Sequence, residues 1–146
     1  MRILGLDIGD RTVGVAVSDP LLISAQGITT IERVGIRKDT GKVLDYAKEY
    51  NVDLIVAGLP LMLNGTDSPQ TEKVREFVSM LENKLRSNGM KCPVVFQDER
   101  FTTKIAESVL IEADVSRAKR KQVIDKQAAV IILQSYLDTN RMKLNS

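Results

Sequence analysis

Leu4-Gly5-Leu6-Asp7-Ile8-Gly9-Asp10-Arg11-Thr12-Val13-Gly14-Val15-Ala16-Val17-Ser18-Asp19 is the stretch on which the reading of the fold turns. Two runs of β-favouring residues flank a short polar segment containing Gly9, which predicts two strands joined by a tight hairpin, with Asp7 near the end of the first. Aspartate is depleted from strands because its carboxylate gains nothing from a pleated apolar surface and is costly to bury unpaired. Two readings of Asp7 are open at this level. It either caps the turn by accepting from the amides that follow, as Asx turns do, or it is a functional acid delivered to a strand end.

The composition limits what surrounds this hairpin. A chain of 146 residues with 43% hydrophobic content can build one compact core, so one domain spanning 1–146 is expected. No apolar run approaches bilayer length and the N-terminus lacks the succession of a signal peptide, which predicts a soluble, cytoplasmic chain with no membrane partner. Cys92 is the only cysteine and there is no histidine. That excludes an internal disulfide, the usual zinc sets and histidine-based triads, and leaves carboxylates, lysine, hydroxyls or a hard metal ion for any catalysis. A net charge of +2 is too small to indicate nucleic-acid binding, so the distribution of charge matters more than its total.

Beyond the hairpin, the β-branched run from Leu22 to Ile31 predicts a third strand and completes an antiparallel meander. Val43, Leu44, Ala47 and Tyr50 share one face of a helix expected over Ile36 to Tyr50. The nearly continuous apolar run Val52 to Ala57 is the pattern of a central strand covered on both faces. Ser68 and Pro69 read as the N-cap and first turn of a second helix, which Gly89 ends, and Pro93 to Gln97 as a fifth strand. Two helices follow, one from near Thr102 or Thr103 and one from about Lys119 to Asp138. Crossovers of this length set strands parallel to their neighbours, so the expected fold is α/β: a five-stranded mixed sheet, antiparallel for its first three strands and parallel for the last two, flanked by helices.

Three features outside the hairpin bear on chemistry. Gln97-Asp98-Glu99-Arg100-Phe101-Thr102-Thr103 falls where the fifth strand ends, the edge at which open α/β sheets bind ligands, although acids at a helix entrance also suit the helix dipole. Asp125 shares a helical stripe with Ala128, Ala129, Ile132, Leu133, Tyr136 and Leu137. An acid on that buried face requires a basic partner or a metal, and Ala128-Ala129 permits a close approach to the sheet. The connection from Gly58 to Pro69 is long, and its glycines and capped helix start offer amides to an anion, though it matches no P-loop pattern. The basic run Arg117-Ala118-Lys119-Arg120-Lys121 leads directly into the helix carrying Asp125.

Taken together, Asp7-Ile8-Gly9 with Gly14 and Ser18-Asp19, Gly58-Leu59-Pro60 with Asn64-Gly65, Asp98-Glu99-Arg100 with Thr103, and Asp125-Lys126-Gln127-Ala128-Ala129 with Ile132-Leu133-Gln134 resemble the YqgF/RuvX family of Holliday-junction-resolvase-like nucleases, in the RNase H-like superfamily. Order and spacing carry this resemblance over nearly the whole chain. It implies an RNase H-like sheet and an active site of Asp7, Glu99 and Asp125, which act as catalytic groups and as ligands of Mg²⁺ or Mn²⁺. With carboxylates at the ends of two neighbouring strands facing a third on a helix, such a site hydrolyses phosphodiesters without histidine. Arg100, Arg117, Lys119, Arg120 and Lys121 are then expected to hold flanking phosphates.

Substrate follows less directly. The resemblance points to 5′-end maturation of pre-16S ribosomal RNA in the cytoplasm, with resolution of branched DNA as the alternative; the RNA role is preferred because symmetric cleavage of a four-way junction needs a two-fold dimer and the sequence shows no obvious dimerisation surface. The expected state is a monomer or homodimer. Two rival classes remain. Asp7-x-Gly9 also resembles the phosphate-binding start of actin-like and sugar-kinase ATPases, which at this length would need a partner chain, and a non-catalytic nucleic-acid-binding module would carry the acids without using them.

Overall fold

The structure, a computed structural model, describes residues 1–99 and 117–140, with 117–126 described as backbone alone. Its elements are β1 (Ile3–Ile8), β2 (Thr12–Ser18), β3 (Ala25–Glu32), α1 (Ile36–Glu49), β4 (Leu54–Leu59), α2 (Pro69–Ser87), β5 (Val94–Asp98) and α3 (Arg117–Thr139). The sheet runs β3-β2-β1-β4-β5. β1 pairs antiparallel with β2, and β2 with β3, while β4 lies parallel to β1 and β5 parallel to β4. This is the mixed sheet expected from the sequence. The helix expected near Thr102 lies outside the described residues.

The alternation of strand side chains divides the core into two layers. On one face Leu4, Leu6 and Ile8 of β1 pack with Val13, Val15, Ile55 and Ala57 against Val43 and Ala47 of α1 and Val74, Phe77 and Leu81 of α2. On the other, Ile3, Ala16, Leu54 and Val56 pack against Ala129, Ile132, Leu133 and Leu137 of α3. α3 comes very close to β1, because a Cβ built at Gly5 would stand 2.7 Å from Leu133 Cβ and 3.2 Å from the Ala129 carbonyl oxygen. Gln134 fixes the far end of this contact: its amide donates to Ile23 O at 3.0 Å and its side-chain oxygen accepts from Ala25 N–H at 2.9 Å.

The boundaries differ from the sequence reading where tertiary contacts override local preference. β3 starts at Ala25, not Leu22, because Asp19 accepts from the amides of Ile23 (2.7 Å) and Ser24 (2.9 Å) and closes a turn in which Leu22 takes φ +60°. Leu22 tolerates that backbone while burying its side chain in the α3 layer. β4 starts at Leu54, since Asn51 (φ +51°) and Val52 still donate to Lys48 and Ala47 carbonyls at the exit of α1. It continues through Gly58 and Leu59, which pair with Gln97 and Asp98 of β5. α3 extends beyond its expected limits at both ends. α2 starts as expected: Ser68 Oγ accepts from Thr71 N–H at 3.2 Å and Thr71 Oγ1 accepts from Ser68 N–H at 2.9 Å. This capping box satisfies the Thr71 amide from within the chain.

Candidate active site

Asp7 lies on the α3 face of β1, two residues beyond Gly5, opposite Gly14 of β2 and half-buried. Gly9 N–H donates to Thr12 O at 2.9 Å, so the backbone itself closes the hairpin that follows. Glu99 comes one residue after β5. Its N–H donates to Leu59 O at 3.2 Å, prolonging the ladder between β4 and β5 by one bond. Its carboxylate folds back over Gly58, where a Cβ would stand 2.5 Å from Glu99 Oε2 and 2.5 Å from Ile132 Cδ1. The glutamate therefore occupies space between the end of β4 and α3 that any other residue at position 58 would fill.

The two acids do not sit on neighbouring strands, as the sequence reading supposed. β4 lies between β1 and β5, and it is the missing side chain of Gly58 that lets Glu99 reach inward across β4. The electrostatics register the convergence. Burial, then the negative charges of Asp7 and Asp98, push the Glu99 carboxyl up to about 8 from its ordinary 4.5. Asp7 and Glu99, brought together in a chain with no histidine, offer hard oxygen donors of the kind that divalent cations take.

Backbone position 125 lies in α3 one turn before Ala129, whose carbonyl faces Gly5. Gln134 binds Ile23 and Ala25 near the start of β1, while Ile132 stands beside Gly58 at the end of β4. Moving toward the N-terminus of α3 thus leads from the near end of the sheet to its carboxyl edge, where Asp7 and Glu99 lie. Among the described residues no group of three acids or thiols has metal-holding geometry, and the side chain of Asp125 is outside them. Arg117, Lys119, Arg120 and Lys121 fall in the first turns of α3, described there as backbone, and Arg100 lies outside the described residues.

One support of the site was not foreseen from the sequence. Asp39, fully buried, accepts from Arg33 Nε at 2.9 Å and from the amides of Val34 (3.1 Å) and Gly35 (3.2 Å). Burial opposes its charge, but the Val34 amide and the Arg33 guanidinium prevail and hold the carboxyl below its ordinary range. Arg33 in turn donates through Nη1 to Gly9 O at 2.9 Å and lies over the Phe77 ring. The turn after Asp7 is thereby tied to the entrance of α1. In the sequence Asp39 has the aspect of an ordinary first-turn acid, and its one signal is proximity to Arg33.

An antiparallel meander continued by two parallel strands, with acids collected at the carboxyl ends of β1 and β5, defines an RNase H-like domain of the resolvase type. Solved structures share this fold over almost the full chain. Thermus thermophilus RuvC, in complex with a Holliday junction substrate, aligns over 98% of this chain and 96% of its own with TM-score 0.62 at 14% identity. The fowlpox virus Holliday junction resolvase aligns over 95% and 99% with TM-score 0.58 at 16% identity. The chain belongs to the RuvX family, described as Holliday junction resolvase, whose model matches residues 1–139. Curated relatives named "Putative pre-16S rRNA nuclease" include those of Clostridium tetani, 52% identical over 95% of this chain and 97% of its own, and Thermoanaerobacter pseudethanolicus, 51% identical over 98% and 100%.

Proposed function

We propose that this chain is a divalent-metal-dependent nuclease that acts in 5′-end maturation of pre-16S ribosomal RNA, with Asp7, Glu99 and Asp125 as its catalytic and metal-binding acids. The observation that carries the reading is the seating of Glu99 over Gly58, where burial, then the charges of Asp7 and Asp98, raise its pKa to about 8. An acid buried beside other acids is explained by a cation that offsets both the desolvation and the repulsion. Mg²⁺ or Mn²⁺ bound there supplies Lewis acidity toward the phosphate and a more acidic attacking water.

The chain's own contribution is placement. Asp7 is fixed by the pairing of β1 on both sides and by the Arg33 clamp on the turn beyond it. Glu99 is fixed by the hydrogen bond from its N–H to Leu59 O and by the space at Gly58, and its carboxyl would have to be deprotonated to hold a cation. Arg100, Arg117, Lys119, Arg120 and Lys121 are assigned to flanking phosphates. Among the described residues no helix is long and apolar enough to cross a membrane, and the proposed place of action is the cytoplasm, where the precursor is made.

The deciding experiment offers the purified protein with Mg²⁺ a 5′-extended pre-16S RNA, single strands and a four-way DNA junction side by side. Faster cleavage of the RNA precursor is expected, and loss of that cleavage in Asp7→Asn. Preferential, symmetric cutting of the junction would replace the RNA reading with the resolvase one, and metal-independent or absent cleavage of all substrates would overturn the nuclease reading.

A further inference from the structure

β3 is an outer strand of the sheet, and among the described residues no strand pairs with its free side. Arg33 N–H donates to Arg11 O at 2.9 Å, which makes those two residues a hydrogen-bonded pair. By the alternation of an antiparallel ladder, Ile31 and Thr29 also bond to β2, while the amides and carbonyls of Thr30 and Glu32 point away from it. Such an edge is a template for another strand, and proteins commonly blunt it with lysine, proline or shortness. β3 is eight residues long and carries neither lysine nor proline. Its one register shift leaves Ile28 without a counterpart on β2 and spares 29–32.

A groove of about 560 Å³ runs beside this edge, between 29–32 and a stripe of α1 formed by Lys42, Asp45, Tyr46 and Glu49. The stripe recurs at three- and four-residue spacing and so lies on one face of the helix. Glu32, Asp45 and Glu49 are exposed, and among the described residues none of them is in an ion pair. Three acids against the single Lys42 repel a polynucleotide. They also oppose a second copy, because β3 pairing with β3 about a two-fold axis brings both α1 stripes to one face of the joined sheet. An extended segment with basic side chains suits both the free backbone and the charge.

We propose that the free edge of β3 is a docking site for an extended basic segment of a partner protein, which adds a sixth strand through Thr30 and Glu32 and lays its cations against Asp45 and Glu49. This goes beyond the nuclease reading and does not depend on it. The probe is an eight-residue peptide alternating lysine and valine, blocked at both ends and titrated into the isotope-labelled full chain. Amide shift changes are expected at Thr30 and Glu32, with slowed solvent exchange there and an affinity that falls as salt rises. Methylating the backbone nitrogens of all the valines or of all the lysines should abolish binding in one series and spare it in the other, since only alternate amides of the added strand face β3. Asp45→Lys/Glu49→Lys should weaken binding about tenfold with unchanged thermal melting. Thr30→Pro, which removes an outward donor and spares the β2 ladder, should weaken it as well. No binding of the parent peptide, binding that both methylated series retain, or shifts away from β3 and α1 would overturn the proposal. Concentration-dependent dimerisation that Thr30→Pro abolishes would give the edge to a second copy and overturn it too.

Discussion

Glu99 occupies the space that a side chain at Gly58 would take: a Cβ there would stand 2.5 Å from Glu99 Oε2, 3.1 Å from Glu99 Cδ and 2.5 Å from Ile132 Cδ1. Gly58 is thus part of the site without contributing a functional group to it. Gly58→Ala should expel the carboxylate or push Ile132 aside. Because misplacement of a reacting group by about 1 Å can cost about 10²-fold, turnover should fall by that order, with about 1–3 kcal/mol lost from stability by overpacking. Steady-state cleavage rates and denaturant melts check both. Full activity in Gly58→Ala would show that Glu99 does not need this seat.

Gly5 stands in the same relation to Leu133, whose Cβ would be 2.7 Å from a Cβ at position 5. Gly5→Ala should move α3 off the sheet and destabilise by about 1–3 kcal/mol. Leu133→Gly, which removes the Cβ that a side chain at position 5 would meet, should alone cost about 3–6 kcal/mol as a cavity and a helix-interior glycine. Since it clears the space that Gly5→Ala fills, the double variant should be clearly more stable than the sum of the two losses predicts, and a double-mutant cycle from urea melts measures that coupling. Additive losses would mean that the helix does not bear on Gly5.

The raised Glu99 pKa fixes a pH dependence with a definite sign. Its folded value, about 8, exceeds the ordinary 4.5, so the folded chain holds more protons than the unfolded chain between them. The stabilisation this gives is complete below about 4.5 and is lost as pH rises through about 8 in the metal-free protein. Glu99→Gln should flatten that decline. Asp7→Asn, which removes one of the charges responsible, should lower the Glu99 pKa, readable by carboxyl carbon NMR. Added Mg²⁺ should raise the melting temperature of wild type increasingly across the same pH window, because it needs the deprotonated acid, and should raise that of Asp7→Asn little. A metal response independent of pH would separate Glu99 from the ligand set.

Asp39→Ala should unfasten the hairpin from a distance. Removing one member of a buried pair strands the other, a loss of about 3–5 kcal/mol, reduced here because the Arg33 side chain is 20% exposed. The wild-type carboxyl is held below its ordinary value of 3.8, so its stabilisation is present above that value and fades as pH falls through the lower folded one. Acid melts of wild type and Asp39→Asn should accordingly converge at low pH. Identical acid melts across the whole range would remove the pair from the stability of the hairpin.

Elements whose signal lies among neighbours in the chain are legible in the sequence. The alternation of Leu4 to Val17 with a break at Gly9 gave the hairpin, the Ser68-Pro69 pair the start of α2, and the spacing of Ala129, Ile132, Leu133 and Leu137 the buried stripe of α3. These follow from backbone stiffness and side-chain period, which act over a few residues. Other features depend on residues distant in sequence. The placement of β4 between β1 and β5, the seating of Glu99 on Gly58, the passage of Leu133 over Gly5 and the φ of Leu22 belong to this class. A glycine that makes room for another residue has no side chain to announce it, and a leucine is driven into a left-handed turn only when a core exists to receive it. Such choices are made by packing, where burial across the whole fold outweighs local preference.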